Sequence, residues 1–192
     1  MLYKFFLILL TCLLMSAPAY CAKSLVTPID AQRAAQSHNN KGVDFYNDKD
    51  YMAAIKEFKI ALGINPNNQT SAVYHNNLGR TYLALARLGA QGAPFAYWAQ
   101  VSFESAIAQD CMNLGFYKNL VDSFALQGNM GERLTYYSKD SSKNPFSSIV
   151  VALIYERQGN RQAAATLLSD FVKTFPDLII TNDIKKHLQV TR

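Results

Sequence analysis

Three cysteines in 192 residues are too few for a disulfide framework, and one of them, Cys12, lies inside an apolar N-terminal run. Only Cys21 and Cys111 remain beyond that run, so the chain must rely on a packed core for its stability. Clustered charge is missing as well. The formal net charge is +5, yet no run of Lys or Arg exceeds the pair Lys185-Lys186. Scattered cations of this kind are solvated side chains, and no stripe tracking a phosphate backbone can be drawn. This argues against nucleic acid as a partner.

Chemistry-bearing motifs are absent too. There is no Gly-rich phosphate loop, no paired-acid signature and no Gly-x-Ser-x-Gly. His38 and His75 have no second His, Cys or carboxylate at ligand spacing beside them, so neither a metal nor a cofactor is expected. His38 and His75 read as half-buried packing groups, and His187 as a solvated residue near a helix end. Cys111 reads as a buried or turn thiol, and Glu57, Glu104 and Glu132 as solvated acids on helix faces. On this reading the chain is not an enzyme.

Long apolar stretches are limited to one. Lys4 precedes an almost unbroken run from Phe5 to Met15, and Ser16-Ala17-Pro18-Ala19 follow. The run is well short of the ~20 residues that span a bilayer. The order of charge, apolar run and small residues is that of a secretory signal peptide, expected over residues 1–19 with cleavage after Ala19. Bacterial lipoproteins place a small residue before the modified cysteine; here Tyr20 precedes Cys21, which argues against lipidation. The mature protein is therefore expected in the periplasm or secreted, without a transmembrane segment.

What the chain does have is hydrophobic residues (49%), aromatics (12%) and an internal echo. Ser37-His38-Asn39-Asn40-Lys41-Gly42 returns as Tyr74-His75-Asn76-Asn77-Leu78-Gly79. Three residues after each Gly stands an aromatic, Phe45 and Tyr82. A small residue then precedes an aromatic by four, Ala54 with Phe58 and Ala99 with Phe103, and another Ala follows at Ala61 and Ala106. Small residues let paired helices approach, and the aromatics fill the groove between them. Asp48 and Asp50 suit a helix start before Tyr51. Gly128-Asn129 and Gly159-Asn160 suit inter-helix turns, and Pro66, Pro145 and Pro176 suit helix ends. No alternating run of strand length appears. The fold class is all-α.

Gly-x-x-aromatic, Ala-x-x-x-Phe, Ala and then Pro resembles the tetratricopeptide repeat (TPR), a helix-turn-helix unit of about 34 residues. The resemblance implies a right-handed superhelix of about four units, at 35–68, 72–113, 114–145 and 146–178. Residues 20–34 form an N-terminal extension, with Ile29 to Gln36 lengthening the first helix. Residues 179–192 hold a capping helix started by Asn182 or Asp183 and sealed by Ile184 and Leu188. The second unit has extra residues between its helices. In the third, Val121 stands for the Gly and Asp140 for an Ala. The fourth is marked by Val151, Ala152, Tyr155, Gly159, Ala164 and Leu168.

The resemblance also implies a concave groove lined by the first helix of each unit. Its fifth and sixth positions read Asn39-Asn40, Asn76-Asn77, Lys118-Asn119 and Ile149-Val150, with Arg80 one turn along from Asn76. Asn is a poor helix former, so a ladder of Asn is a repeated local cost. Either these amides bridge neighbouring repeats, or they grip the backbone of an extended peptide. Ile149 and Val150 would make the far end of the groove apolar. The insertion Arg87 to Trp98 places Phe95, Tyr97 and Trp98 on a loop, where they either contact a partner or fold back onto the stack. The expected function is a scaffold holding a partner protein or peptide in an exported or envelope-associated complex. An accessory or chaperone component of a secretion or envelope-assembly system is the alternative.

Overall fold

The computed structural model describes residues 27–90 and 94–190; the expected signal peptide and Cys21 lie outside them. Among the described residues nine helices follow one another without a strand. They are α1 (Pro28–Asn47), α2 (Tyr51–Ile64), α3 (Gln69–Arg87), α4 (Phe95–Gln109), α5 (Leu114–Gln127), α6 (Met130–Asp140), α7 (Ser147–Arg157), α8 (Arg161–Thr174) and α9 (Ile179–Val190). Neighbours in sequence pack as hairpins, α1 with α2 and so on to α7 with α8. The first helices α1, α3, α5 and α7 also touch one another in order.

Helix starts follow the side chains placed there. Thr27 accepts from the Asp30 N–H with Pro28 in the first turn, Asp50 accepts from Ala53, and Asn160 accepts from Ala163. Asn68 and Ser71 form a reciprocal capping box at the start of α3. The four first helices all end in the same way. A left-handed residue follows, Lys49 (φ 65°), Gly89 (φ 68°), Gly128 (φ 72°) or Gly159 (φ 87°). The next N–H reaches back to a carbonyl in the last turn: Asp50 to Phe45, Ala90 to Leu85, Asn129 to Phe124 and Asn160 to Tyr155. This closure satisfies carbonyls that the helix leaves open. Three of the four turns use Gly; the first uses Lys49, which bears the left-handed strain of an L side chain.

Counting from these turns puts the first, third and fourth hairpins in one register, and the second, with its longer α3, joins it through the contact of Gly79 with Phe103. Gly42, Gly79, Val121 and Ala152 are equivalent on the first helices, as are Phe58, Phe103, Tyr137 and Leu168 on the second. Phe58 and Phe103 are buried against their glycines. A Cβ built on Gly42 would stand 2.6 Å from Phe58 Cε1, and one on Gly79 would stand 2.6 Å from Phe103 Cε1. Ala54 and Ala99 are fully buried in one cluster with those rings, while Ala61 is buried with Tyr74 and Ala106 with Phe116.

Two expectations at the chain's elements are corrected. Phe95, Tyr97 and Trp98 are not on a loop: they form the first turn of α4, because the insertion is absorbed by a longer α3 and residues 88–94. The cap helix starts at Ile179, before Asn182 and Asp183, so neither caps it. Its start is fixed instead by Thr181, whose hydroxyl donates to the Phe175 carbonyl. Ile184 is buried and Leu188 packs on the core, sealing the last hairpin as expected.

Gly42→Leu forces its side chain into the Phe58 ring, so it is expected to lose about 1–3 kcal/mol. The thermal midpoint should fall by several degrees. Wild-type melting of Gly42→Leu would mean that the Phe58 contact does not hold the hairpin. Lys49→Gly should act oppositely, relieving about 1 kcal/mol of left-handed strain and raising the midpoint by roughly 2–4 °C; a lower midpoint would contradict the turn geometry.

Candidate functional site

The Asn positions of the first helices meet edge to edge. Asn77 Nδ2 donates to Asn39 Oδ1 at 2.9 Å, and one repeat further on Asn119 Nδ2 donates to Asn76 Oδ1 at 2.8 Å. The sixth position of each hairpin thus bonds the fifth position of the one before. Asn39 is only 4% exposed, so its amide is withdrawn from any groove. Asn40 is exposed and accepts from Gln36 on its own helix. Asn76, Asn77 and Asn119 are half-buried, each retaining donors or acceptors beyond its bridge. Ile149 and Val150 are buried in the core, so the apolar groove end expected from them is not there. The ladder stops where the amides stop.

Charged groups border the bridges on the same helices. Arg80 is exposed with its guanidinium 5.2 Å from the Tyr46 ring centre. Asp122 of α5 accepts from Arg87 of α3 at 2.9 Å and pairs with Arg157 of α7 at 3.2 Å, linking three first helices. Lys118, Glu156, Arg161 and His187 line a recess beside them. With its proton on Nε2, His187 donates to Glu156 at 2.8 Å while its Nδ1 accepts from Lys118 at 3.1 Å. The expected solvated His187 is therefore a contact that lays α9 against α5 and α7, with only 13% of its side chain exposed.

His38 and His75 occupy one register position but differ in surroundings. His38 Nδ1 meets Glu57 Oε2 at 2.6 Å, so Glu57 is a paired acid rather than a solvated one. The residue equivalent to Glu57 in the next hairpin is Ser102. His75 lacks that carboxylate, and burial pushes its pKa below the usual histidine value.

The α4 aromatics fold back onto the stack. Phe95 and Trp98 pack on Tyr82, with ring centres 6.2 and 5.5 Å away, and on each other at 5.5 Å. Tyr97 is 51% exposed and Trp98 38%. They cover the α3–α4 hairpin and still present an aromatic edge.

The third hairpin holds, beside the Val121 and Asp140 already noted, one residue that the sequence reading passed over. At the register of Ala54, Ala99 and Ala164 stands Arg133, and at that of Ala61 and Ala106 stands Asp140. Val121 fills the glycine position, and α6 has no buried residue at all. A cavity of about 740 Å³ opens between α4 and α6, lined by Tyr97, Glu104, Ile107, Arg133, Tyr137 and Asp140 among others, with Tyr117, Leu120 and Val150 below. Tyr137 donates to Glu104 at 3.4 Å; burial first, and the Glu104 charge second, push its phenol well above the usual range. Burial likewise raises the Cys111 thiol at the rim, leaving it a poor nucleophile. The overlooked signal was Arg133 itself, four residues before Tyr137 where the other hairpins have Ala.

A glycine seat for each ring, one closing turn and a translated bridge recur from hairpin to hairpin. The fold is an all-α solenoid of helical hairpins. No family model matches the chain, and no curated protein matches it. Solved structures that it resembles are TPR proteins. One, from Parabacteroides merdae, shares 19% identity over 83% of this chain with a TM-score of 0.48; the chain spans 60% of that protein's length. The TPR domain of Arabidopsis OM64 shares 17% over 82% of this chain and 96% of its own, with a TM-score of 0.43. YrrB, described as a TPR protein with an unusual peptide-binding site, shares 18% over 80% of this chain and 75% of its own, also with a TM-score of 0.43.

His75 gives this stack of hairpins a pH dependence. Its folded pKa lies below the unfolded value of 6.5, so the unfolded chain binds the proton first on acidification. The contribution is intact above that value and is lost as pH falls below it. The melting difference between wild type and His75→Gln should therefore move against wild type between neutral pH and about pH 5.5. A difference independent of pH would show that His75 is not desolvated.

Proposed function

We propose that this chain is an interaction scaffold which holds an extended, acidic segment of a partner protein along the first-helix face, in an exported or envelope-associated assembly. The observation that carries the reading is the composition of that face. Arg80, Arg87, Lys118 and Arg157 stand there, with Arg161 at the start of α8 beside them and Asp122 and Glu156 among them. A cationic strip of this kind steers and orients an acidic chain. The amides of Asn76, Asn77 and Asn119 are pinned by their bridges, and the bonding capacity left over faces a backbone at no further ordering cost. Export rests on the N-terminal segment, with its charge, short apolar run and small residues.

A photo-crosslinking residue at position 80 or 118, in chain expressed in its own host, should capture a partner that the same residue at position 52 on α2 does not. With the crosslinker at position 118, Arg80→Glu with Arg161→Glu should abolish that capture while the melting midpoint stays within a degree or two, because exposed charges contribute little to folding. Equal capture from position 52, or capture that survives the charge reversal, would rule out this face as the binding surface. N-terminal sequencing of the purified protein should begin near Tyr20; a retained Met1 would remove the export part of the proposal.

A further inference from the structure

Three register positions on the second helices are core positions in the other hairpins. They read Ala54, Phe58 and Ala61 in the first, Ala99, Phe103 and Ala106 in the second, and Ala164, Leu168 and Phe171 in the fourth, all buried. In α6 the same positions read Arg133, Tyr137 and Asp140, and they line the 740 Å³ cavity rather than fill it. Two charges and a phenol thus stand where folding alone calls for alanine and a ring.

Those charges are unmet. Among the described residues no cation lies within ion-pair distance of Glu104 or Asp140. Glu104 accepts only from Gln100 and Tyr137, and Asp140 only from the buried Ser147 hydroxyl. Arg133 has no carboxylate; its guanidinium lies 5.6 Å from the Phe124 ring centre, and its Nε is buried without a hydrogen-bond partner. Leaving such groups unpaired opposes folding. A ligand that supplies the missing counter-charges removes that opposition.

The helix sets the spacing. Residues 133 and 140 are seven apart on one face, on the order of 10 Å along the axis, with Glu104 approaching between them from α4 through Tyr137. Between the charged ends the floor is apolar, at Ile107, Leu120 and Val150. The volume lies within the range of small-molecule sites.

We propose that this cavity binds a small zwitterion, its carboxylate on Arg133 and its ammonium on Asp140, the two ends standing on the order of 10 Å apart. Two chemical sources match that length. One is a free tripeptide in extended form, at roughly 3.3–3.6 Å per residue; the other is an ω-amino acid with an aliphatic body. The site is separate from the first-helix face. On α5 the cavity is floored by Tyr117 and Leu120, while Lys118 and Asp122 point into the recess on another side, so the two readings stand or fall separately.

Calorimetric titration of the folded protein with Ala-Leu-Ala and with ω-aminooctanoate tests the proposal. Binding by either supports it, and the preferred probe tells which source the site takes. For the probe that binds, acetylating the amine and amidating the carboxylate should each weaken affinity at least tenfold, the loss of one charge-assisted contact. Arg133→Gln should erase the penalty for amidation and keep that for acetylation; Asp140→Asn should do the reverse. Both variants should melt at or above the wild-type midpoint, since each removes an unpaired charge. Failure of both probes at millimolar concentration overturns the proposal. So does binding indifferent to the blocked ends, or a loss of both penalties in either variant.

Discussion

Everything in this stack depends on an aromatic ring seated on a glycine. Phe58 on Gly42 and Phe103 on Gly79 leave no room for a Cβ, and that contact sets how closely the two helices of a hairpin run. Once the distance is set, the flanking alanines at 54 and 99 are buried without a void. Because hairpins then repeat with one geometry, a side chain that reaches its neighbour in one repeat reaches it again in the next. The Asn77–Asn39 and Asn119–Asn76 bridges are that translation made visible.

The third hairpin shows the same rule by breaking it. Val121 occupies the glycine seat, so Tyr137 cannot sit on the α5 backbone as Phe58 and Phe103 sit on theirs. Its ring lies instead 5.9 Å from Phe124, and its hydroxyl turns to Glu104 on α4. With the ring displaced, α6 buries no residue and stands over a cavity rather than a core. Arg133 and Asp140 are tolerable there only because the close approach has been given up; at the Ala54 or Ala99 position a guanidinium would meet a fully packed ring. The opening and the charges that line it thus fall in the one hairpin whose glycine seat carries a branched side chain.

Much of the fold was legible because the signals are local and repeat. Gly42, Ala54, Phe58, Gly128 and Gly159 each act within one hairpin, and their spacing alone predicts helix pairs and turns. The cap helix and the α4 aromatics were legible in kind and misplaced in detail. Capping by Asn182 looked plausible by residue type, but Thr181 bonding to Phe175 depends on a chain reversal that no short window records. The site was less legible. Two partners 38 residues apart decide whether an amide bridges or projects, and His187 meets Lys118 across 69 residues. Arg133 was readable in principle, since its register follows from Tyr137, but an isolated Arg on an amphipathic helix looks like a solvated one until the turns align the repeats.

The end of the ladder explains the last helix. The bridge pattern would next join position six of the fourth hairpin to Lys118, but that position is Val150, which is buried and has no donor. Lys118 therefore finds no amide along the stack and turns to His187, which also holds Glu156. Meanwhile Ile180 and Ile184, on the same face of α9 as His187, close the apolar end that α7 and α8 leave open. A terminal helix has to satisfy both demands at once, because the core and the polar ladder run out at the same hairpin. Its amphipathic pattern follows from that coincidence: the residues that seal the core and the histidine that ends the ladder occupy one short helix, and a cap built for either demand alone would leave the other edge exposed.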